Sequence, residues 1–184
     1  MGLRKSFSNS MNRGVTATNI VTNGNFSNGT TGWLISPGIG TFTVANDEAS
    51  ILTIAANGFL YQVPGTANIV GRKYYYRASV KSSSALVAFR FGITTTKYHS
   101  GSNLYETLSI VDTATSPTNS LNIVDTRASG WNTINIKNAL AIDLTGLFGA
   151  GTEPTLAECD IIYADWLSTA GALQTLSPNS PLRN

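Results

Sequence analysis

Charge is what this sequence has least of. Only 12% of its 184 residues are Asp, Glu, Lys or Arg, about half the roughly 25% of an average soluble domain, and Ser, Thr, Asn and Gly take their place. The formal balance is +2, with no basic run interleaved with aromatics, so the electrostatic footprint of a nucleic-acid binder is missing. There is a single cysteine, Cys159, which excludes an internal disulfide. It lies on the apolar side of a periodic stretch and reads as a small buried hydrophobe rather than a nucleophile. There is a single histidine, His99. No Gly-x-Ser-x-Gly elbow and no His/Cys cluster at zinc spacing accompany it. The ten acids are scattered singly apart from Asp47-Glu48, so a glycosidase pair would have to be assembled from distant strands. No enzyme is expected. No apolar run approaches the ~18 residues that span a membrane, and the opening MGLRKSFSNSMNRG lacks the apolar centre of a signal peptide. No repeat or heptad sets an oligomeric number, although a homo-oligomer is compatible with the chain.

What is present is a succession of short β-rich runs. They cover 19–26, 32–35, 41–45, 49–55, 59–63, 73–81, 85–93, 105–111, 121–125 and 133–144, broken by Gly, Pro, Asn and Ser turns. Even spacing with no intervening helix predicts an all-β antiparallel sandwich. Its length suits one domain, 19–170. Residues 1–18 read as an extended N-terminal arm, mildly basic through Arg4, Lys5 and Arg13, suited to docking on a larger assembly; 171–184 read as an irregular tail.

One helix is predicted, over about 155–167. Thr155 is a good N-cap, and Glu158 completes a capping box with it. Leu156, Cys159, Tyr163 and Trp166 fall on one side of it, so it is expected to lie on a sheet edge or end. Gly149-Ala150-Gly151 before it resembles a phosphate cradle only weakly. No Lys follows, and Glu153 would stand where the phosphate should be, so it reads as a turn.

Alternation assigns faces in two runs. Tyr74, Tyr76, Ala78 and Val80 share one side of 73–81, and Val87, Phe89, Phe91 and Ile93 share one side of 85–93; both sets are core. The opposite faces carry Tyr75 and Arg77 on the first run and Arg90 on the second. They are either solvated surface or a polar groove. Trp33, Tyr61, Tyr75, Tyr98, Tyr105 and Trp131 sit at strand ends or turns, where rings can stack on sugar faces. Trp33 is the core candidate among them.

Asn23-Gly24-Asn25-Phe26 followed by Gly32-Trp33 resembles the start of carbohydrate-binding-module-like jelly rolls. Tyr61-Gln62, Gly71-x-x-Tyr74-Tyr75-Tyr76-x-Ala78-x-Val80, Tyr98-His99-Ser100-Gly101 and Ser129-Gly130-Trp131 follow in the same order. Asp143-Leu144-Thr145 with Phe148-Gly149-Ala150-Gly151-x-Glu153-Pro154-Thr155 is similar to the closing signature of bacteriophage tail and minor structural proteins. The resemblance spans about 19–167. It implies a jelly-roll virion component, made in the host cytoplasm, attached to other virion proteins through its arm, and binding host surface glycans or simply decorating the particle. An accessory module of a glycoside hydrolase is the rival setting. Strand alternation and family position together nominate Gln62, Tyr75, Arg77, Arg90, Tyr98, His99 and Trp131 as carbohydrate contacts. Relatives of this kind hold a structural calcium between the first and last strands. By position Asn25 and Asp143 are its candidates, with Ser27 standing where the relatives carry an acid.

Overall fold

A computed structural model describes residues 16–63, 68–92, 95–164 and 174–175. The fold is an antiparallel jelly-roll sandwich of two five-stranded sheets. The strands are β1 (Thr16–Ala17), β2 (Leu34–Ile35), β3 (Ile39–Ala45), β4 (Glu48–Thr53), β5 (Phe59–Gln62), β6 (Lys73–Lys81), β7 (Val87–Phe91), β8 (Thr95–Tyr98), β9 (Tyr105–Thr113), β10 (Leu121–Asp125), β11 (Asn132–Asp143) and β12 (Gln174–Thr175). One sheet runs β2-β5-β10-β7-β8 and the other β3-β4-β11-β6-β9. The predicted inward sets meet between them: Tyr74, Tyr76, Ala78 and Val80 of β6 pack with Val87, Phe89 and Phe91 of β7. Tyr76 stacks on Phe91 at 4.2 Å between ring centroids.

The opening motif is structural throughout. Asn23, at φ 52°, accepts from the Asn28 amide and donates to the carbonyls of Gly29 and Thr31, which folds the loop back on itself. Phe26 is buried and stacks on Trp33 at 5.1 Å, and the Trp33 indole N–H donates to the Asn23 carbonyl. Trp33 is therefore core, as its sequence context implied. Gly24 runs against β11. Its carbonyl accepts from the Ala139 amide at 2.7 Å, and a Cβ on it would stand 2.1 Å from the Ala139 carbonyl oxygen.

The sequence pattern missed a bulge in β11. The register with β6 slips between Lys137 and Leu140, where Asn138 has φ 56°. Before the slip, Ile134 and Ile136 face the sandwich; after it, Ala139 and Ala141 do. Leu140, Ile142 and Leu144 are turned to the outside, where they join Ala17, Tyr75, Cys159 and Tyr163 in a second apolar cluster. The last run also ends earlier than its alternation suggested. Asp143 caps a short helix, α1 (Leu144–Phe148), by accepting from the Gly146 amide at 2.7 Å.

The predicted helix is present as α2 (Leu156–Ile162), with both arms of the Thr155/Glu158 capping box made. It packs on the outer face of the β6 sheet at the side of its edge strand β9, in line with the expected edge position, and places Cys159 and Tyr163 in the second cluster. Leu156, expected on the buried side, is 38% exposed, and Trp166 lies outside the described residues. The Gly149-Ala150-Gly151 stretch is a turn with both glycines at positive φ. Glu153 folds back to accept from Thr145 Oγ1 at 2.7 Å and from the Gly151 amide at 2.8 Å. The ends of the expected arm and tail meet in a two-stranded pair, β1 with β12. Arg4, Lys5 and Arg13 lie outside the described residues.

The Gly24 approach is a stability test. Gly24→Ala should cost about 1–3 kcal/mol, as overpacking against fixed backbone does. Thermal unfolding should then shift down by several degrees, at roughly 2–4 °C per kcal/mol for a chain of this size. A melting curve unchanged from the parent would contradict the contact.

Candidate functional site

A sandwich has two outer faces, and in this chain they differ. On the β3-β4-β11-β6-β9 sheet, α2 covers the part of the face that carries Tyr75 of β6 and Leu140 and Ile142 of β11. Tyr75 is wholly buried there. Its hydroxyl donates to Asp160 Oδ1 at 2.8 Å, its ring stacks on Tyr163 at 5.3 Å, and burial pushes its phenol well above the ordinary value. Arg77 lies beneath the end of the helix and donates from Nη1 to the Tyr163 carbonyl at 2.5 Å. Both were expected on a groove. The helix and its cluster occupy that face instead, and both residues anchor it.

The outer face of the β2-β5-β10-β7-β8 sheet has no helix upon it among the described residues. Pairing places Leu34, Tyr61, Asn122, Arg90 and Thr96 in one row across it, and Phe59, Val124, Ala88 and Tyr98 in the next. These residues line, in part, a cleft of about 570 Å³, within the range of small-molecule and sugar sites. Phe59 and Tyr61 stand two apart on β5, so their rings share this face, 5.3 Å apart and tilted by 54°. The 116–120 connection between β9 and β10 contributes Ser116, Thr118, Asn119 and Ser120 as one wall. The Asn119 amide oxygen accepts from the amides of Thr115 and Ser116, which fixes that wall. The Asn122 side chain is held by Ser120 and Gly92. Gly92 suits this spot, with φ at 58° and a Cβ position 2.3 Å from Asn119 Nδ2 that only a shift of that side chain would clear. Among the described residues the lining offers rings, amides, hydroxyls and one guanidinium, and it includes no Asp or Glu.

Of the nominated contacts, Arg90 lines this cleft. Tyr98 shares the face from the edge strand, 49% exposed, but does not line the cleft. Trp131 is 73% exposed on the β10–β11 loop, also outside the lining. Gln62 points the other way. It is buried, accepts from the Thr22 amide at 2.6 Å and donates to the carbonyls of Thr22 and Gly32. The strand's period of two makes Tyr61 the outward residue of that pair. Missed altogether were Phe59, Asn122 and the 116–120 wall. Alternation along 59–62 and 121–125 carried the signal for the first two.

His99 is buried too. Its Nδ1 accepts from the Gly101 amide at 2.8 Å and its Nε2 lies 3.1 Å from the Leu104 carbonyl, which assigns the proton to Nε2 and ties the 99–104 loop together. Glu106 closes the same loop. Burial raises its pKa, but hydrogen bonds from the Ser100 and Ser102 hydroxyls and the Ser100 amide outweigh that, and its carboxyl is pulled down to about 2.

Neither calcium candidate is free to bind a cation with the other. Asn25 Oδ1 is taken by the Ser27 amide and hydroxyl. Asp143 Oδ2 holds the Arg72 guanidinium at 2.7 Å, and Oδ1 caps α1. Gly24, beside Asn25, pairs with Ala139, and four residues of strand, about 13 Å, separate Ala139 from Asp143. The donor set does not fit a calcium shared by these two residues. Among the described residues no group of three or more His, Cys, Asp and Glu is gathered for a metal.

Among solved structures, a family 4 carbohydrate-binding module superposes with a TM-score of 0.51 at 10% identity, covering 66% of this chain and 98% of that one. The two share a fold. A family 29 carbohydrate-binding module is similar over 76% of this chain and 99% of its own, at 17% identity and a TM-score of 0.49. The enzymatically active domain of bacteriophage CBA120 tailspike protein 4 is similar over 67% of this chain and 21% of its own, at 17% identity and a TM-score of 0.48. No protein-family model and no curated protein sequence matches the chain.

The Glu106 contacts make an acid-side prediction. The folded carboxyl binds its proton more weakly than the unfolded one, whose pKa is near 4.5. Its contribution to stability is therefore present above about pH 4.5 and lost as the pH falls towards 2. Urea titrations should show Glu106→Gln less stable than the parent at pH 6, with the gap narrowing steadily below pH 4.5. A gap independent of pH would contradict it.

Proposed function

We propose that this chain is a carbohydrate-binding module without catalytic activity, and that its site is the cleft on the outer face of the β2-β5-β10-β7-β8 sheet. The observation that carries the reading is the pair of rings, Phe59 and Tyr61, set on a sheet face inside a cleft walled by amides and hydroxyls. Aromatic faces take the apolar C–H face of a sugar, and fixed amides and hydroxyls bond its ring oxygens and hydroxyls. A lining without carboxylates suits recognition rather than hydrolysis, which needs a positioned acid pair. The shared fold with a family 4 carbohydrate-binding module supports the same reading.

The setting we propose is a bacteriophage particle. That rests on the resemblance of the stretch from Asp143 to Thr155 to phage structural proteins, with the basic residues Arg4, Lys5 and Arg13 as the contact to other virion proteins. An accessory module of a glycoside hydrolase is the second setting, and the fold suits it equally. Antibody labelling of purified particles, against detection in a secreted hydrolase, separates the two.

The cleft itself is tested on a glycan array. Tyr61→Ala should weaken binding of the best saccharide at least tenfold, about 1.4 kcal/mol. Trp131→Ala and Tyr75→Phe, which lie outside the cleft, should leave binding unchanged. Full binding by Tyr61→Ala, or no saccharide bound by the parent protein, would overturn the assignment.

A further inference from the structure

One residue in the cleft lining is charged, and the charge is positive. Arg90 stands on β7, the fourth strand of its sheet, with Asn122 beside it on β10 and Thr96 beside it on β8. Neither neighbour is charged. The other arginines among the described residues are all engaged. Arg72 holds Asp143 and Arg127 holds Asp125, each at 2.7 Å, and Arg77 donates to the Tyr163 carbonyl at 2.5 Å. Arg90 has no ion pair among the described residues, and its Nε is closed off from solvent without an acceptor.

A guanidinium partly removed from water with no counter-charge loses hydration that the protein does not replace. Arg72 and Arg127 are compensated by carboxylates; Arg77, whose Nε is also unpartnered, is buried and spends Nη1 on the Tyr163 carbonyl, whereas Arg90 lines the open cleft. An incoming anion would supply what Arg90 lacks, and a planar guanidinium meets a carboxylate with two parallel hydrogen bonds. Tyr61, Asn122 and Arg90 occupy one row over three adjacent strands. Two strand spacings, roughly 10 Å, thus separate the stacking ring from the cation. A sugar stacked on Tyr61 extends along that row to bring an anionic substituent to Arg90.

We propose that the cleft is selective for an acidic polysaccharide, with the anionic substituent of one sugar seated on Arg90. This rests on the reading of the cleft as a saccharide site. Uronic-acid carboxylates and sulfate esters offer the same charge, so both are used as probes.

Affinity gel electrophoresis is run in gels containing polygalacturonate, the same polymer after carboxyl reduction, or carrageenan. One or both charged polymers should retard the protein at a concentration at least tenfold below that of the reduced polymer, and which one does so identifies the substituent. Arg90→Gln should abolish the difference while leaving the melting temperature unchanged, since the Arg90 side chain has no ion pair among the described residues and its Nε has no acceptor. Arg90→Lys should keep part of the retardation. Lys97→Gln, which removes the same charge from the exposed edge strand β8, should keep all of it.

Equal retardation by the reduced polymer overturns the proposal, and so does an Arg90→Gln protein that behaves as the parent. If neutral glycans alone are bound and Tyr61→Ala loses them, the proposal falls while the cleft stands as a saccharide site. If no saccharide is bound at all, the cleft reading falls and the proposal with it.

Discussion

One extra residue in β11 governs how this chain distributes its apolar side chains. A strand that is strictly alternating can serve one core on one face. The slip at Asn138 lets β11 serve two: Ile134 and Ile136 feed the sandwich, and Leu140 and Ile142 feed the cluster beneath α2. The small residues Ala139 and Ala141 then face inward, where the 19–24 segment runs alongside. Asn19 imitates a strand there, donating to the Ala139 carbonyl and accepting from the Ala141 amide. Removing the slip would turn Leu140 and Ile142 into the sandwich and leave α2 with little beyond Tyr75 to cover.

That arrangement decides where function can reside. Because α2 is needed to bury Tyr75, Leu140 and Ile142, the outer face of the β6 sheet is committed to structure. Among the described residues no helix lies on the outer face of the other sheet, and the rings of Phe59 and Tyr61 are on it. The residue pattern of β5 shows the division within four positions: Leu60 and Gln62 point inward to the core and to the opening loop, while Phe59 and Tyr61 point out.

Much of this was legible in the sequence, and the limits have physical causes. Period-two patterns identified the core residues of β6 and, through Phe91, of β7, since both strands are regular; Ile93, expected with them, lies outside the described residues. The capping box located the start of α2, because Thr155 and Glu158 act locally, while the helix ends at Ile162, short of the expected 167. Tyr75 and Arg77 were misjudged because coverage by a helix from the far end of the chain is a tertiary fact, invisible in a strand's own alternation. β8 escaped notice because Thr-Thr-Lys-Tyr carries no apolar residue except at its end, as suits an edge strand. The opening and closing motifs were recognised as patterns, yet each proves to be a hydrogen-bonded brace of the scaffold. Patterns shared across a fold record what holds it together, whereas the cleft draws on positions such as Asn122 that no motif contains.

The lone cysteine acquires a use from its position. Cys159 is fully buried in the cluster under α2, and burial pushes its thiol up to about 12. To an alkylating reagent at neutral pH the folded protein is effectively free of cysteine, and the thiol is revealed only when the helix lifts from the sheet. The chain thus carries its own chemical clock for that event. It also accepts a spectroscopic label at any introduced surface cysteine without first losing its native one.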